Sequence, residues 1–400
     1  KNPFQAEIDA PCELIDFLRY STFYAGQVYA GQPYSDAGIL NRMEYRALEG
    51  FVFSLTPFNF TSIASNLNMA PAMMGNVAVW KPSTTAIHSN YLLMKVFREA
   101  GLPDGVVNFI PGQGSVIGKV IVSHPDFAGF HFTGSTATFN TIWRQIGEHL
   151  GAYKSYPRIV GETGGKNFIF AHPSAPADEV AAAIVRGAFE YQGQKCSAGS
   201  RAYIPVSLWK EVKERVGDML KEIKTGDVRD FTNFVNAVID ETSFDNIMGY
   251  IEHARQAPDA EILFGGKGDK SVGYFVEPTV ILTTNPAFKT MTEEIFGPVA
   301  VIIKFKTEDE VIKYANESVY GLGGGVWTKD LNRAFRVSRA IETGRVWVNT
   351  YNAIPAGAPF GGYKTSGIGR ETHKVILDHY TQMKNILIKL DENPSGFYPK

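Results

Sequence analysis

Cysteine is nearly absent: the 400-residue sequence contains only Cys12 and Cys196. Two thiols cannot build a disulfide framework, which suits a reducing compartment and leaves either one free for chemistry. An excess of one charge is also lacking, with Lys+Arg at 39 against Asp+Glu at 41 and a formal net charge of −2. That balance offers no basic footprint for nucleic acid and no polybasic patch for a membrane surface. No apolar run approaches the roughly 18 residues that a membrane span requires. Low-complexity tracts and repeat arrays are missing as well. The opening Lys1-Asn2-Pro3 has neither an initiator Met nor a signal-peptide pattern, so the chain reads as an internal piece of a longer protein. With 44% hydrophobic and 20% charged residues, what remains is an intracellular, multi-domain α/β protein.

Short β-rich runs alternate with helical patterns from Gly50 to Glu162. Phe51–Leu55, Val77–Trp80, Val106–Ile110, Phe130–Phe132 and Arg158–Gly161 read as strands. The spacing of Ile87, Tyr91 and Met94 predicts the core face of a helix capped near Ser83, Thr84 or Thr85 and stopped at Gly101-Leu102-Pro103. Such strand–turn–helix units imply right-handed crossovers and a parallel sheet, whose strand carboxyl ends are natural ligand sites. A second α/β set follows Asn167, with strands at Phe168–Phe170, Ala202–Pro205, Val299–Phe305 and Gly344–Asn349. Phe264–Gly268 is glycine-rich, but no helical pattern follows it, so it reads as a turn and not as a phosphate loop. The alternation at Asn385–Leu390 is an edge-strand pattern suited to pairing with another subunit.

Several residues stand where chemistry would need them. Cys196 lies in Gly193-Gln194-Lys195-Cys196-Ser197-Ala198-Gly199-Ser200. Polar, glycine-rich flanks are wrong for a core and right for a tight turn presenting a thiol. Lys195 and nearby amides would favour the nucleophilic thiolate. Glu162 closes a strand beside a glycine pair, where a carboxylate can act as a general base. Asn59 ends another strand and offers an amide donor to an oxyanion. Lys81 suits a phosphate or ribose contact, and Gly134-Ser135 at a helix start offers amides to a pyrophosphate. Each has an ordinary alternative: a buried thiol, a solvated carboxylate or lysine, a turn amide, a simple helix cap. Their joint occurrence is the signal.

Residues 50–370 resemble the aldehyde dehydrogenase superfamily. The resemblance rests on seven motifs in family order: Thr56-Pro57-Phe58-Asn59-Phe60, Trp80-Lys81-Pro82-Ser83, Phe132-Thr133-Gly134-Ser135, Glu162-Thr163-Gly164-Gly165-Lys166, Gly193-Gln194-Lys195-Cys196, Glu293-Glu294-Ile295-Phe296-Gly297-Pro298, and Pro359 through Gly367. It implies an α/β fold with a Rossmann-like NAD domain, an α/β catalytic domain and an oligomerisation strand extension. The corresponding boundaries are 1–164 for the NAD domain (its N-terminal part outside this chain, 27–45 a flap), 165–367 for the catalytic domain, and 368–400 for the return to the NAD domain with the oligomerisation strand. It further implies that Cys196 attacks the aldehyde, Asn59 and the Cys196 amide hold the oxyanion, and Glu162 activates water to release the acid. Lys81, Ser83, Gly134, Ser135, Glu294 and Phe296 would contact NAD, and no metal is implied. Thr84 stands where many NAD-specific members carry a ribose-binding Glu, so NADP is not excluded. The partners implied are a small aldehyde and copies of the same chain in a homodimer or higher homo-oligomer. The location implied is the cytoplasm, or the mitochondrial matrix in a eukaryote.

Residues 1–298 most resemble the glutamate-semialdehyde (1-pyrroline-5-carboxylate) dehydrogenases of proline catabolism, on Ala70-Pro71-Ala72-Met73-Met74-Gly75-Asn76, Phe139, Trp143-Arg144-Gln145 and Gly165-Lys166-Asn167-Phe168. In that subgroup the hydroxyl of Ser197, with Ser366-Gly367, would hold the distal carboxylate. Residues 299–400 are more similar to general aliphatic members, as at Thr343–Asn349 and Ser366–Glu371. A general aliphatic dehydrogenase and a catalytically silent truncated relative are the alternatives. Glu162 argues against a coenzyme A-acylating type, and a cysteine hydrolase would need a histidine, for which His172 is the nearest candidate in sequence.

Overall fold

Alternating apolar strands and amphipathic helices assemble into two largely parallel sheets in the computed structural model, which describes residues 1–392. The first sheet runs in the order Gly367–Ile368, Arg158–Glu162, Phe127–Thr133, Phe51–Leu55, Val77–Lys81, Val107–Phe109. Its strands are parallel except Gly367–Ile368, which lies antiparallel to Arg158–Glu162. Every residue of Phe127–Thr133 is buried, as expected of a strand covered on both faces. Phe53, Phe130, Phe132 and Phe139 form the aromatic heart of this half, with ring centroids 5.5–6.0 Å apart. Crossover helices Thr61–Met73, Ile87–Glu99, Gly114–Val122 and Thr136–Glu148 cover it.

One expected packing face is different. In Ile87–Glu99 the buried residues are Asn90, Met94 and Phe97, while Tyr91 is 51% exposed. Both triplets fit a helical period. A polar Asn90 on the inner face hid the true one from a reading based on hydropathy.

The second sheet runs Arg345–Val348, Gly323–Trp327, Phe168–Ala171, Arg201–Pro205, Val299–Phe305, Thr279–Thr283, Ala260–Phe264, antiparallel only at the last strand. Apolar cores lie on both faces, one around Phe170, Ile251 and Val301, the other around Ile169, Ile184 and Ile302. The segment Phe264–Gly268 is a turn with Gly265 and Gly266 at φ of +71° and +93°.

A two-stranded ribbon completes the fold. Ile39–Arg46 pairs antiparallel with Gln382–Lys389, from Ile39 opposite Lys389 to Arg46 opposite Gln382. The tail strand is therefore paired first within its own chain. Residues 27–30, expected in a flap, belong to the helix Glu13–Ala30. Residues 393–400, the end of the segment expected to return to the first domain, lie outside the described residues.

Candidate active site

Four parallel strands of the first sheet deliver side chains from their carboxyl ends into one region, as the geometry of such sheets dictates. Phe51–Leu55 leads into Thr56-Pro57-Phe58-Asn59, Val77–Lys81 ends on Lys81, Phe127–Thr133 leads into Gly134-Ser135, and Arg158–Glu162 ends on Glu162. A cleft of about 450 Å³ follows these ends. Asn59, Lys81, Ser83, Gly134, Ser135, Cys196, Glu294 and Phe296 all line it, eight of the twelve candidate residues.

The cleft suits a dinucleotide. Ser135 caps the helix Thr136–Glu148, its hydroxyl accepting from the Thr138 amide at 3.2 Å, so the positive end of the helix opens into the cleft. Gly134 leaves this approach bare: a Cβ there would come within 2.7 Å of the Phe132 ring. The Lys81 ammonium is buried, and desolvation lowers its pKa. Burial raises the Glu294 carboxyl to about 7, although it accepts from the Gly165 amide at 2.8 Å. The buried Thr133 hydroxyl has no hydrogen-bond partner among the described residues. Lys81 and Glu294 are thus a cation and a carboxylate suited to ribose hydroxyls, beside amides suited to a pyrophosphate.

Cys196 sits on a loop held in an unusual backbone state. Tyr191, Gln192 and Gly193 have φ of 53°, 55° and 66°, and two non-glycine residues in that region cost roughly 1–2 kcal/mol each. Polar anchors hold the loop against that cost. Gln192 donates to the Ala237 carbonyl at 2.9 Å, and Gln194 accepts from the Ile239 amide at 2.9 Å. Asn167 donates to the Cys196 carbonyl at 2.6 Å, and Asn59 donates to the Gln194 carbonyl at 3.0 Å. Position 193 must be glycine, because a Cβ there would stand 2.1 Å from the Gly297 carbonyl oxygen.

Cys196 is half-buried and lines two cavities. One is the cleft. The other is a chamber of about 40 Å³ lined also by Glu162, Phe17, Phe60, Phe360 and Glu371. Beyond it lies a recess of about 240 Å³ that shares Glu13, Phe60, Ser197 and Ile354 with the chamber and adds Asp9, Lys195 and Asn352. Cys196 therefore borders both the cleft and the chamber that holds Glu162, and the chamber shares lining residues with the recess.

Glu162 is 3% exposed, and among the described residues its carboxylate oxygens have no well-formed hydrogen bond, the nearest donor being the Gly362 amide. Burial pushes its pKa well above the ordinary carboxylate value and the Glu371 charge adds to this; Arg370 and the Gly362 amide pull the other way without offsetting it. A base with free lone pairs and raised affinity for a proton is what water activation requires.

Two expectations fail here. Lys195 does not activate the thiol: its ammonium is 3.2 Å from Glu190 and 3.3 Å from Asp9, and the Cys196 thiol is pushed up to about 12 by burial first, then by Glu162 and Glu294. Ser366 and Gly367 line neither the chamber nor the recess. The Ser366 hydroxyl accepts from the Gly321 amide at 3.0 Å, and Gly367 pairs with the backbone of Glu162. Ser366 and Gly367 support Glu162 from behind. Ser197, by contrast, does line both.

Sequence reasoning missed Glu13, Phe17, Asn352, Ile354 and Glu371, which come from the two far ends of the chain. Phe60 and Phe360 sat inside quoted motifs without a role. The glycine–aromatic pattern around Phe360 was the available signal.

Comparison with known proteins agrees with this geometry. The model of the Aldehyde dehydrogenase family matches residues 3–386. The chain is 48% identical over 377 residues to the mitochondrial delta-1-pyrroline-5-carboxylate dehydrogenase of Dictyostelium discoideum, covering 92% of this chain and 68% of that protein. Its structure is similar to that of the Delta-pyrroline-5-carboxylate dehydrogenase of Mycobacterium tuberculosis bound with NAD, with a TM-score of 0.92, 40% identity, and 100% and 75% of the two chains covered. The NAD+ complex of aldehyde dehydrogenase from Bacillus cereus aligns with a TM-score of 0.90 at 33% identity, covering 98% of this chain and 78% of that one.

Proposed function

This chain belongs to the aldehyde dehydrogenase family, and from that premise we propose that it oxidises L-glutamate semialdehyde, the open form of 1-pyrroline-5-carboxylate, to glutamate with NAD. The observation that carries the reading is the position of Cys196, which lines both the cleft and the chamber that holds Glu162. The chemistry that bound NAD supplies is a hydride acceptor. Lys81, Ser83, Glu294 and Phe296 would hold it, with Gly134 and Ser135 at the pyrophosphate.

Cys196 adds to the aldehyde carbon as thiolate, its proton leaving for solvent or a nearby base. The Asn59 amide and the Cys196 backbone N–H stabilise the oxygen that becomes negative. Loss of hydride leaves an acyl thioester on Sγ. Glu162 then takes a proton from water, the hydroxide adds to the thioester, and the carbon–sulfur bond breaks to free the acid and the thiolate. Ser197 faces the far end of the substrate.

We further infer that residues 1–164 carry the cofactor, 165–367 most of the catalytic loop system, and the ribbon strand a contact between copies of the chain, since Met383 and Leu387 on it are 66% and 62% exposed. Among the described residues no helix is long and apolar enough to cross a membrane. The proposed setting is the cytoplasm or the mitochondrial matrix, the latter named for the Dictyostelium relative.

The test mixes purified protein and NAD with glutamate semialdehyde, propanal, or no aldehyde, and follows reduced cofactor. Turnover with a higher kcat/KM for glutamate semialdehyde is expected. Equal or better use of propanal moves the chain to the general aliphatic type, and no reduction with any aldehyde overturns the reading.

A further inference from the structure

Behind Glu162 lies a fully buried histidine that the reaction above does not use. His131 is in the middle of the strand Phe127–Thr133 and is 0% exposed. Its Nδ1 lies 2.9 Å from the Leu67 carbonyl oxygen. A carbonyl only accepts, so Nδ1 carries a proton and donates. In a neutral ring Nε2 is then bare. Yet Nε2 is in close hydrogen-bond contact with the Glu371 carboxyl. Two acceptors cannot share such a contact without a proton between them. Either the ring is an imidazolium facing a carboxylate, or the carboxyl is protonated and donates to the ring. Both arrangements contain one proton, and both leave the pair with zero net charge.

We propose that His131 is a positioning residue for the release step: by sharing one proton with Glu371 it keeps a second negative charge away from Glu162. Glu371 lines the same chamber as Glu162 and Cys196, and a negative charge left uncompensated on it would be the principal neighbouring influence against ionisation of Glu162. The pair is held from several sides. Asn66 donates to the other Glu371 oxygen at 3.2 Å, and the Glu371 backbone is paired with Phe360. The Tyr380 ring lies 5.1 Å from the imidazole.

The other charged groups in this region do not duplicate the role. Arg370 acts on Glu162 directly. His379 is held toward its neutral form by burial first, then by His131 and Arg158, against the smaller opposing effects of Glu371 and Asp378. The Tyr380 hydroxyl is held protonated by burial. Burial likewise raises the carboxyl of Glu13, on the far side of the chamber, to about 7. Cys196 and, beyond it, Glu294 complete the set. Among the described residues, only His131 is in hydrogen-bond contact with Glu371 and able to exchange a proton with it.

The inference rests on the dehydrogenase reading, and the experiment separates the two. Enzyme is mixed with NAD and glutamate semialdehyde, quenched in acid at intervals, and weighed to follow decay of the acyl-enzyme across pH. Wild type, His131→Asn, Glu371→Gln and the double variant are compared. Without His131 an ionised Glu371 stands beside Glu162. The pH at which decay reaches half its maximum should then rise by about one unit in His131→Asn, as expected for a nearby like charge. Glu371→Gln should lie at or below wild type, and the double variant should return toward wild type. An unmoved midpoint in His131→Asn, or a double variant shifted as far as that single variant, overturns the proposal. Should His131→Asn fail to fold, an upward shift in Glu371→Gln alone would overturn it, while a midpoint at or below wild type supports it. Failure of the dehydrogenase reading would show differently, as absence of reduced cofactor from wild type.

Discussion

The side-chain amide of Asn59 donates to the backbone carbonyl of Gln194 at 3.0 Å across a sequence separation of 135 residues. This bond ties a strand end of the first sheet to the loop that carries Cys196 in the second half of the molecule. Asn59 lines the cleft as well, so one amide both positions the nucleophile's loop and faces the place where an oxyanion would form. Asn59→Ala should lower kcat by about a hundredfold to a thousandfold, the usual loss for one oxyanion donor. Asn59→Asp, which keeps the shape but removes the donor, should be equally impaired in steady-state rates.

Cys196→Ala should lower aldehyde turnover by at least about a thousandfold, as loss of a covalent nucleophile does. NAD binding, read by quenching of protein fluorescence, should stay within a few-fold of wild type. Residual turnover near wild type would assign the nucleophile elsewhere.

Glu162→Gln should retain a single burst of reduced cofactor and then slow by about a hundredfold or more, since general-base assistance contributes on that scale. Rapid mixing with absorbance detection checks it. Loss of the burst would place Glu162 in an earlier step.

The thiol of Cys196 is pushed up to about 12, by burial first and then by Glu162 and Glu294. Below that value the thiolate fraction rises about tenfold for each pH unit. Alkylation by iodoacetamide in cofactor-free protein should therefore keep climbing with pH through neutrality and beyond 9, in a Cys12→Ser background because Cys12 is exposed. A plateau below pH 8 would show that the thiol is already ionised and that the three carboxylate and burial effects are misjudged.

Gly193→Ala should destabilise the fold by about 2–4 kcal/mol, combining a left-handed φ with a clash. The added Cβ would meet the Gly297 carbonyl at 2.1 Å. Thermal unfolding followed by circular dichroism gives the value, and a melting temperature equal to wild type would contradict the described loop.

Five of the six strands of the first sheet were legible because each is a short apolar run closed by glycine, proline or a capping hydroxyl, whereas the two-residue strand Gly367–Ile368 offers no such run. Much of the cleft was legible for the same reason, since Asn59, Lys81, Gly134 and Ser135 sit at or just after strand ends. Asn90 was not, because a polar residue with 0% exposure defeats any reading of hydropathy. Ser366 was misplaced because a hydroxyl beside a glycine motif looks ready for a ligand, whereas a buried backbone amide at Gly321 had already claimed it. Glu13 carries no local signature, and Glu371 closes the quoted stretch Ser366–Glu371 without showing a role there. They meet through closure of distant chain segments, which no spacing rule reports.

The pairing of Ile39–Arg46 with Gln382–Lys389 joins residues as far as 350 positions apart, at Ile39 opposite Lys389. Bringing such distant segments together carries an entropic cost that grows with the logarithm of the intervening length, and it becomes tolerable only once the intervening chain has condensed. On a ribosome, residues 382–389 emerge after both sheets have been synthesised. Half-made chains crowded on one messenger therefore cannot display the finished ribbon, which the order of synthesis alone withholds until the end.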